Sequence, residues 1–65
     1  MNKKDEILAL SQKLTELKLR LKMVSWTFYN SKDLPESKAN AILDEKIRIE
    51  KFIEVLEKRL KEIEN

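Results

Sequence analysis

Along the first half of the chain the apolar positions fall at Ile7, Leu10, Leu14, Leu17, Leu21, Val24 and Phe28, at intervals that alternate three and four without a break. That spacing is a heptad stripe on an α-helix, a seam made to lie against another helix. A second stripe follows at Ala39, Ile42, Lys46, Ile49, Ile53, Leu56, Leu60 and Ile63, with the same alternation. Between them, Asn30-Ser31-Lys32-Asp33-Leu34-Pro35-Glu36 is the one turn signal in the chain. The pattern predicts a single all-α domain over residues 1–65. It is an antiparallel two-helix hairpin, with a helix over about 3–30, a turn over about 31–34 and a helix over about 34–64.

Local chemistry supports the same boundaries. Asn2 is a suitable N-cap, because its side-chain oxygen can accept a first-turn N–H. Asp5 and Glu6 follow where the positive end of the helix dipole favours acids. Asp33 and Glu36 have the spacing of a capping box, and Pro35 is tolerated there because first-turn N–H groups lack helical partners. Folding about Lys32 pairs residues whose numbers add to roughly 64, which brings Leu17 near Ile47 and Val24 near Asn40. Asp44–Arg48, Glu54–Lys58 and Glu57–Lys61 are acid-first i,i+4 pairs, each contributing about 0.2–0.5 kcal/mol on a wet face.

Composition narrows what such a hairpin can do. Among 65 residues there is no Cys, His or Gly, and 40% are charged. Disulfides and thiolate metal sites are excluded, and so are glycine-rich phosphate loops. The commonest general base and metal ligand is missing, so Ser11, Ser25, Ser31 and Ser37 have no histidine to activate them. No enzyme activity and no cofactor are expected. A chain this short rarely builds a sufficient core without a staple, a metal or a partner, and association is what remains. No apolar run is long enough for a membrane span or a signal peptide, and a cytoplasmic protein without membrane contact is expected.

Apolar residues outside the seam point to the contacts this chain makes. Leu19, Met23 and Trp26 recur at helical spacing, with Leu19 and Trp26 roughly opposite the seam. On the second helix Leu43 and Ile47 flank the seam on one side, Phe52 and Val55 on the other. An isolated hairpin leaves these wet, and contiguous exposed apolar surface usually marks an interface. Two readings follow. Two hairpins can form a homodimeric four-helix bundle with the extra residues inside. Alternatively Leu19, Met23, Trp26, Leu43 and Ile47 dock a second protein, with Trp26 as anchor, because Trp is enriched among binding hot spots. Lys46, the one charge on the second stripe, either fixes register or runs its stem along the apolar surface; Glu16 and Glu50 are its candidate partners.

The net charge is +2, with +3 in residues 1–30 and −1 in residues 31–65. Lys13, Lys18, Arg20 and Lys22 form a basic run that could contact phosphates, giving the competing reading of a nucleic-acid-associated dimeric regulator. Neither half has the dense basic field of a dedicated nucleic-acid binder.

In size and hairpin layout the chain also resembles the small Spo0E-type phosphatases of sporulating bacteria, which carry a Ser-x-x-x-Asp signature on the second helix. The matching stretch is Asn40-Ala41-Ile42-Leu43-Asp44, with Asn where that family has Ser, so no phosphatase role is carried over. The expectation from the whole sequence is a small non-enzymatic interaction protein, an adaptor or inhibitor, in the style of a bacterial or phage accessory protein.

Overall fold

The computed structural model describes residues 2–64; Met1 and Asn65, the ends of the expected hairpin, lie outside the described residues. Two helices, α1 (Lys3–Asn30) and α2 (Glu36–Glu64), fold back on each other as a rod of 48 × 16 × 14 Å. Asn2 caps α1 as its chemistry requires. Its Oδ1 accepts the Asp5 N–H at 2.8 Å, and its carbonyl takes the first helical bond from Glu6 at 3.0 Å.

The far end of α1 has no basic residue in its last turn. Its carbonyls are met instead by side chains one turn on. Thr27 Oγ1 donates to the Met23 carbonyl at 3.0 Å, Asn30 Nδ2 to that of Trp26 at 2.9 Å, and Ser31 Oγ to that of Thr27 at 2.6 Å. Short polar side chains do this readily, and they offer the backbone a way out of the helix. Ser31 then turns extended, with φ −95° and ψ 118°. The described residues make the reversal with no positive φ, which suits a chain lacking glycine.

The turn is one residue longer than the sequence predicts. It covers residues 31–35, and α2 begins at Glu36 rather than Leu34. Proline disfavours the helical region for the residue before it, so Leu34 stays out of the helix. The Pro35 carbonyl takes the first α2 bond, from the Ala39 N–H at 2.9 Å. Pro35 therefore occupies the cap position, and the Asp33–Glu36 capping box is not the device that starts α2.

Every residue of both stripes is buried or half-buried. Leu14, Leu17, Ile49 and Ile53 form the core, with Leu21, Val24, Leu56 and Leu60 packed against it. Leu17 therefore packs with Ile49 and Ile53 on the seam, while Ile47 lies outside it. Two arginines bridge the helices. Arg20 chelates Glu45 Oε1 through Nε at 3.2 Å and Nη2 at 2.8 Å. Arg59 holds Glu6 Oε2 in the same way, at 3.1 and 2.9 Å. The residue numbers of each pair add to 65, one more than the sequence predicts.

The acid-first pairs expected within α2 are not formed among the described residues. Glu57 reaches across to Lys18 at 3.3 Å, and Arg48 Nε turns to the Asp44 carbonyl at 3.4 Å. A neighbouring helix supplies competing partners that an isolated helix lacks. These exposed bridges contribute at most about 1 kcal/mol each, so the apolar seam dominates. No helix among the described residues is long and apolar enough to cross a membrane.

Candidate interaction surface

The hairpin buries four large apolar side chains and exposes nine. These nine fall into separate groups. Leu19, Met23 and Trp26 project from the side of α1 turned away from α2, exposed by 59%, 62% and 67%. They line one shallow depression with Lys22 and Thr27. Leu43 and Ile47 lie beside the seam on α2, less exposed, on the side bridged by Lys18 and Glu57. Phe52 and Val55 lie on the opposite side; Phe52 lines a groove with Lys13, Arg20, Glu45 and Arg48. The five residues expected to form one docking face thus belong to two.

The outer side of α1 is more continuous than three residues indicate. Leu8, Gln12, Thr15, Leu19, Met23, Trp26 and Asn30 follow one another at intervals of three or four, all exposed and all uncharged. In a chain with 40% charged residues such a stripe is unusual. Its one hydroxyl and one of its two amides bond back to the helix itself. Thr15 Oγ1 donates to the Ser11 carbonyl at 3.0 Å, and Asn30 bonds back to Trp26. Thr15 then adds its methyl group to the apolar surface. The outer side of α2 carries Asp44, Lys51, Lys58 and Glu62 instead. The two helices differ accordingly: α2 is amphipathic in the ordinary sense, whereas α1 is apolar on two opposite faces, as a helix covered from both sides would be.

Leu8 escaped the sequence reading because it lacks a neighbour at three or four positions. Its signal is the interval of 11 residues to Leu19, three helical turns, followed by the seven to Trp26.

The basic run does not form one face. Its spacing of five, two and two residues sends Lys13 and Arg20 to one side of the seam, Lys18 and Lys22 to the other. Lys13 binds Glu16 at 3.6 Å, Lys18 binds Glu57, and Arg20 binds Glu45. Of the four, Lys22 alone makes no ion pair among the described residues.

Lys46 is half-buried on the seam, and its partner is neither Glu16 nor Glu50. Its Nζ lies 5.9 Å from the centroid of the Tyr29 ring, which in turn meets Phe28 edge-on at 5.6 Å. That distance is the outer limit of a cation–π contact, contributing roughly 0.5–1 kcal/mol at such a site. The aliphatic stem follows the seam while the ammonium reaches the aromatic edge. Changing Lys46 to Leu exchanges this contact for apolar burial beside Ile42 and Ile49 on the stripe. We expect a gain of about 1 kcal/mol and a melting temperature higher by roughly 4–8 °C. Calorimetry of the variant checks this; an unshifted transition with unchanged mass would make Lys46 a plain surface residue.

Asn40 and Asp44, the positions matched to the phosphatase signature, are both exposed on α2. No protein-family model matches the chain, and neither a curated protein nor a solved structure is significantly similar to it.

Proposed function

We propose that this chain is a small non-enzymatic interaction protein of the cytoplasm. Its hairpin pairs with a second copy in a four-helix bundle, and it binds another protein through the outer face of α1, as an adaptor or inhibitor. The observation that carries the reading is the uncharged stripe around Leu19, Met23 and Trp26, whose three apolar side chains are each more than half exposed. Exposed apolar surface of that kind is the ordinary mark of a docking site. Trp26 serves as anchor, because a large rigid side chain desolvates much area for little entropy. The dispersal of Lys13, Lys18, Arg20 and Lys22 weighs against a phosphate-binding role.

The test compares wild type with Trp26→Ala as bait at low and at moderate salt. We expect Trp26→Ala to weaken capture by about 2 kcal/mol, roughly thirtyfold, with little change between salts. Equal capture by both baits would remove Trp26 as anchor. Capture that collapses as salt rises from about 50 to 200 mM, with Trp26→Ala unaffected, would turn the reading toward a phosphate-bearing partner.

A further inference from the structure

We propose that two copies of this chain associate through the side of the hairpin that carries Lys18, Lys22, Leu43, Ile47 and Glu50, with α1 of each copy against α2 of the other. This deepens the bundle reading above and rests on it. The two sides of the seam differ in how their charges are neutralised. On one side acid and base alternate between the helices and are bonded within the hairpin: Arg20 with Glu45, Arg59 with Glu6, and Lys13 with Glu16. Most charges on that side are thus paired within the hairpin, and Arg48 bonds the Asp44 carbonyl instead.

On the other side the charges are sorted by helix. Among the described residues α1 presents Lys4, Lys18 and Lys22 there and no acid, whereas α2 presents Glu36, Glu50, Glu54 and Glu57 against two bases, Lys61 near its end and the half-buried Lys46, whose ammonium is turned to Tyr29. One bridge, Lys18–Glu57, connects the strips across the hairpin. A basic strip lies beside an acidic one, with Leu43 and Ile47 between Glu36 and Glu50. Such a surface is complementary to itself after a half-turn.

The sorting also selects the dyad. A two-fold axis perpendicular to the helices would set α1 on α1, with Lys18 and Lys22 facing their own copies. An axis parallel to the helices sets the basic strip on the acidic strip, twice, and makes every neighbouring helix antiparallel. Rotation about the long axis leaves heights unchanged, so the register is that of the hairpin itself. Lys18 then comes level with Ile47 of the second copy, less than one turn from its Glu50. Lys22 comes level with Leu43 of the second copy, so that the lysine stems cover both apolar side chains. Ser25, small and half-buried, leaves room for the approach.

The area suffices. A side 48 Å long and 14 to 16 Å wide offers on the order of 700 Å² per copy, close to the roughly 800 Å² of a standard interface. Leu19 and Met23 stay outside this contact, so the dimer presents the outer face of α1 twice.

The experiment measures mass by light scattering for wild type, Lys18→Glu, Glu50→Lys and an equimolar mixture of the two variants. Each variant alone sets like charges against each other in the dimer, and a weakening of at least roughly tenfold is expected. In the mixture Lys18 meets the native Glu50 at one contact, and the two introduced charges attract at the other. The expected result is a dimeric wild type, monomeric variants and recovery of the dimer on mixing. Charges within one hairpin are not repaired by mixing, so recovery reports contacts between copies. A monomeric wild type overturns the bundle reading and this arrangement together. A dimeric wild type whose variants stay dimeric, or whose mixture fails to recover, overturns the arrangement alone. Should either variant lose its helical circular dichroism, the salt response of wild type decides. A dissociation constant that rises severalfold with salt supports the sorted contact, and a constant one overturns it.

Discussion

Replacing Leu17 by Asp is expected to abolish cooperative melting of this chain, and Ile53→Asp is expected to do the same. Both side chains are more than nine-tenths buried at the middle of the seam, in the four-residue core with Leu14 and Ile49. A carboxylate at either place loses its water and finds no base opposite, because the cross-helix arginines bind at the seam's edges to Glu45 and Glu6. Burying an unpaired charge is among the few single changes that cost more than about 4 kcal/mol. A domain of this size has a total stability on the order of 3–10 kcal/mol, and one built on four buried side chains belongs at the low end. Loss of most helical signal at 25 °C is therefore the expected result, with a broad, shallow thermal transition. Asn40→Asp, on the exposed part of α2, serves as control and should shift stability by no more than about 0.5 kcal/mol. A sharp, unshifted transition for Leu17→Asp would mean that the seam is not what holds the chain together.

The seam was legible because heptad spacing and burial are one fact seen twice: a helix that repeats apolar residues at three and four has only one narrow stripe to hide. Hence Ile7 to Phe28 and Ala39 to Ile63 all lie inward without exception. Asn2 was legible for a similar reason, since its cap bond spans only the four residues from Asn2 to Asp5. What eluded the sequence depended on the second helix. Glu57 has a lysine four positions on, but Lys18 lies across the groove and takes it. Lys46 has acids near it in sequence, yet its ammonium reaches Tyr29, 17 positions away and on the other helix. The basic run read as a patch because its members are close in number, whereas helical geometry divides them between two sides.

For the candidate surface the division is the same. That Leu19, Met23 and Trp26 face away from the seam follows from spacing alone. That Leu43 and Ile47 do not join them requires knowing which side of α1 meets α2. The hairpin fixes this through its bridges, and with it the separation of the outer α1 stripe from the side that carries Leu43 and Ile47. In the arrangement proposed above α1 takes part in both contacts, whereas the outer side of α2 is charged.

Changing Pro35 to Ala is expected to open the hairpin. The interval from Phe28 to Ala39, the last seam residue of α1 and the first of α2, is 11 residues, three turns of an undistorted helix. The two stripes would therefore remain on one face if the helix ran straight through the turn. Residues 31–34 contain no glycine and no β-branched residue to oppose this. Proline does oppose it. Its ring would strike the carbonyl of Ser31 and its nitrogen could not donate, at about 3 kcal/mol or more. With Ala at 35 that cost disappears, and each loop residue gains a helical bond. Two opened chains can then pair antiparallel, α1 of one against α2 of the other, re-forming every seam contact between copies. Exchange of this kind is a known hazard of altered hinge loops. The closed rod is 48 Å long, whereas one continuous helix over the described residues would extend to about 95 Å at 1.5 Å per residue. Small-angle scattering over a concentration series distinguishes the two directly. We expect Pro35→Ala to give a dimer with a maximum dimension near the longer value, favoured as concentration rises, and wild type to keep the shorter one. If the variant keeps the short dimension at every concentration, the reversal is held by the side-chain caps of Thr27, Asn30 and Ser31 together with the half-buried Leu34, and the proline serves only to fix where α2 begins.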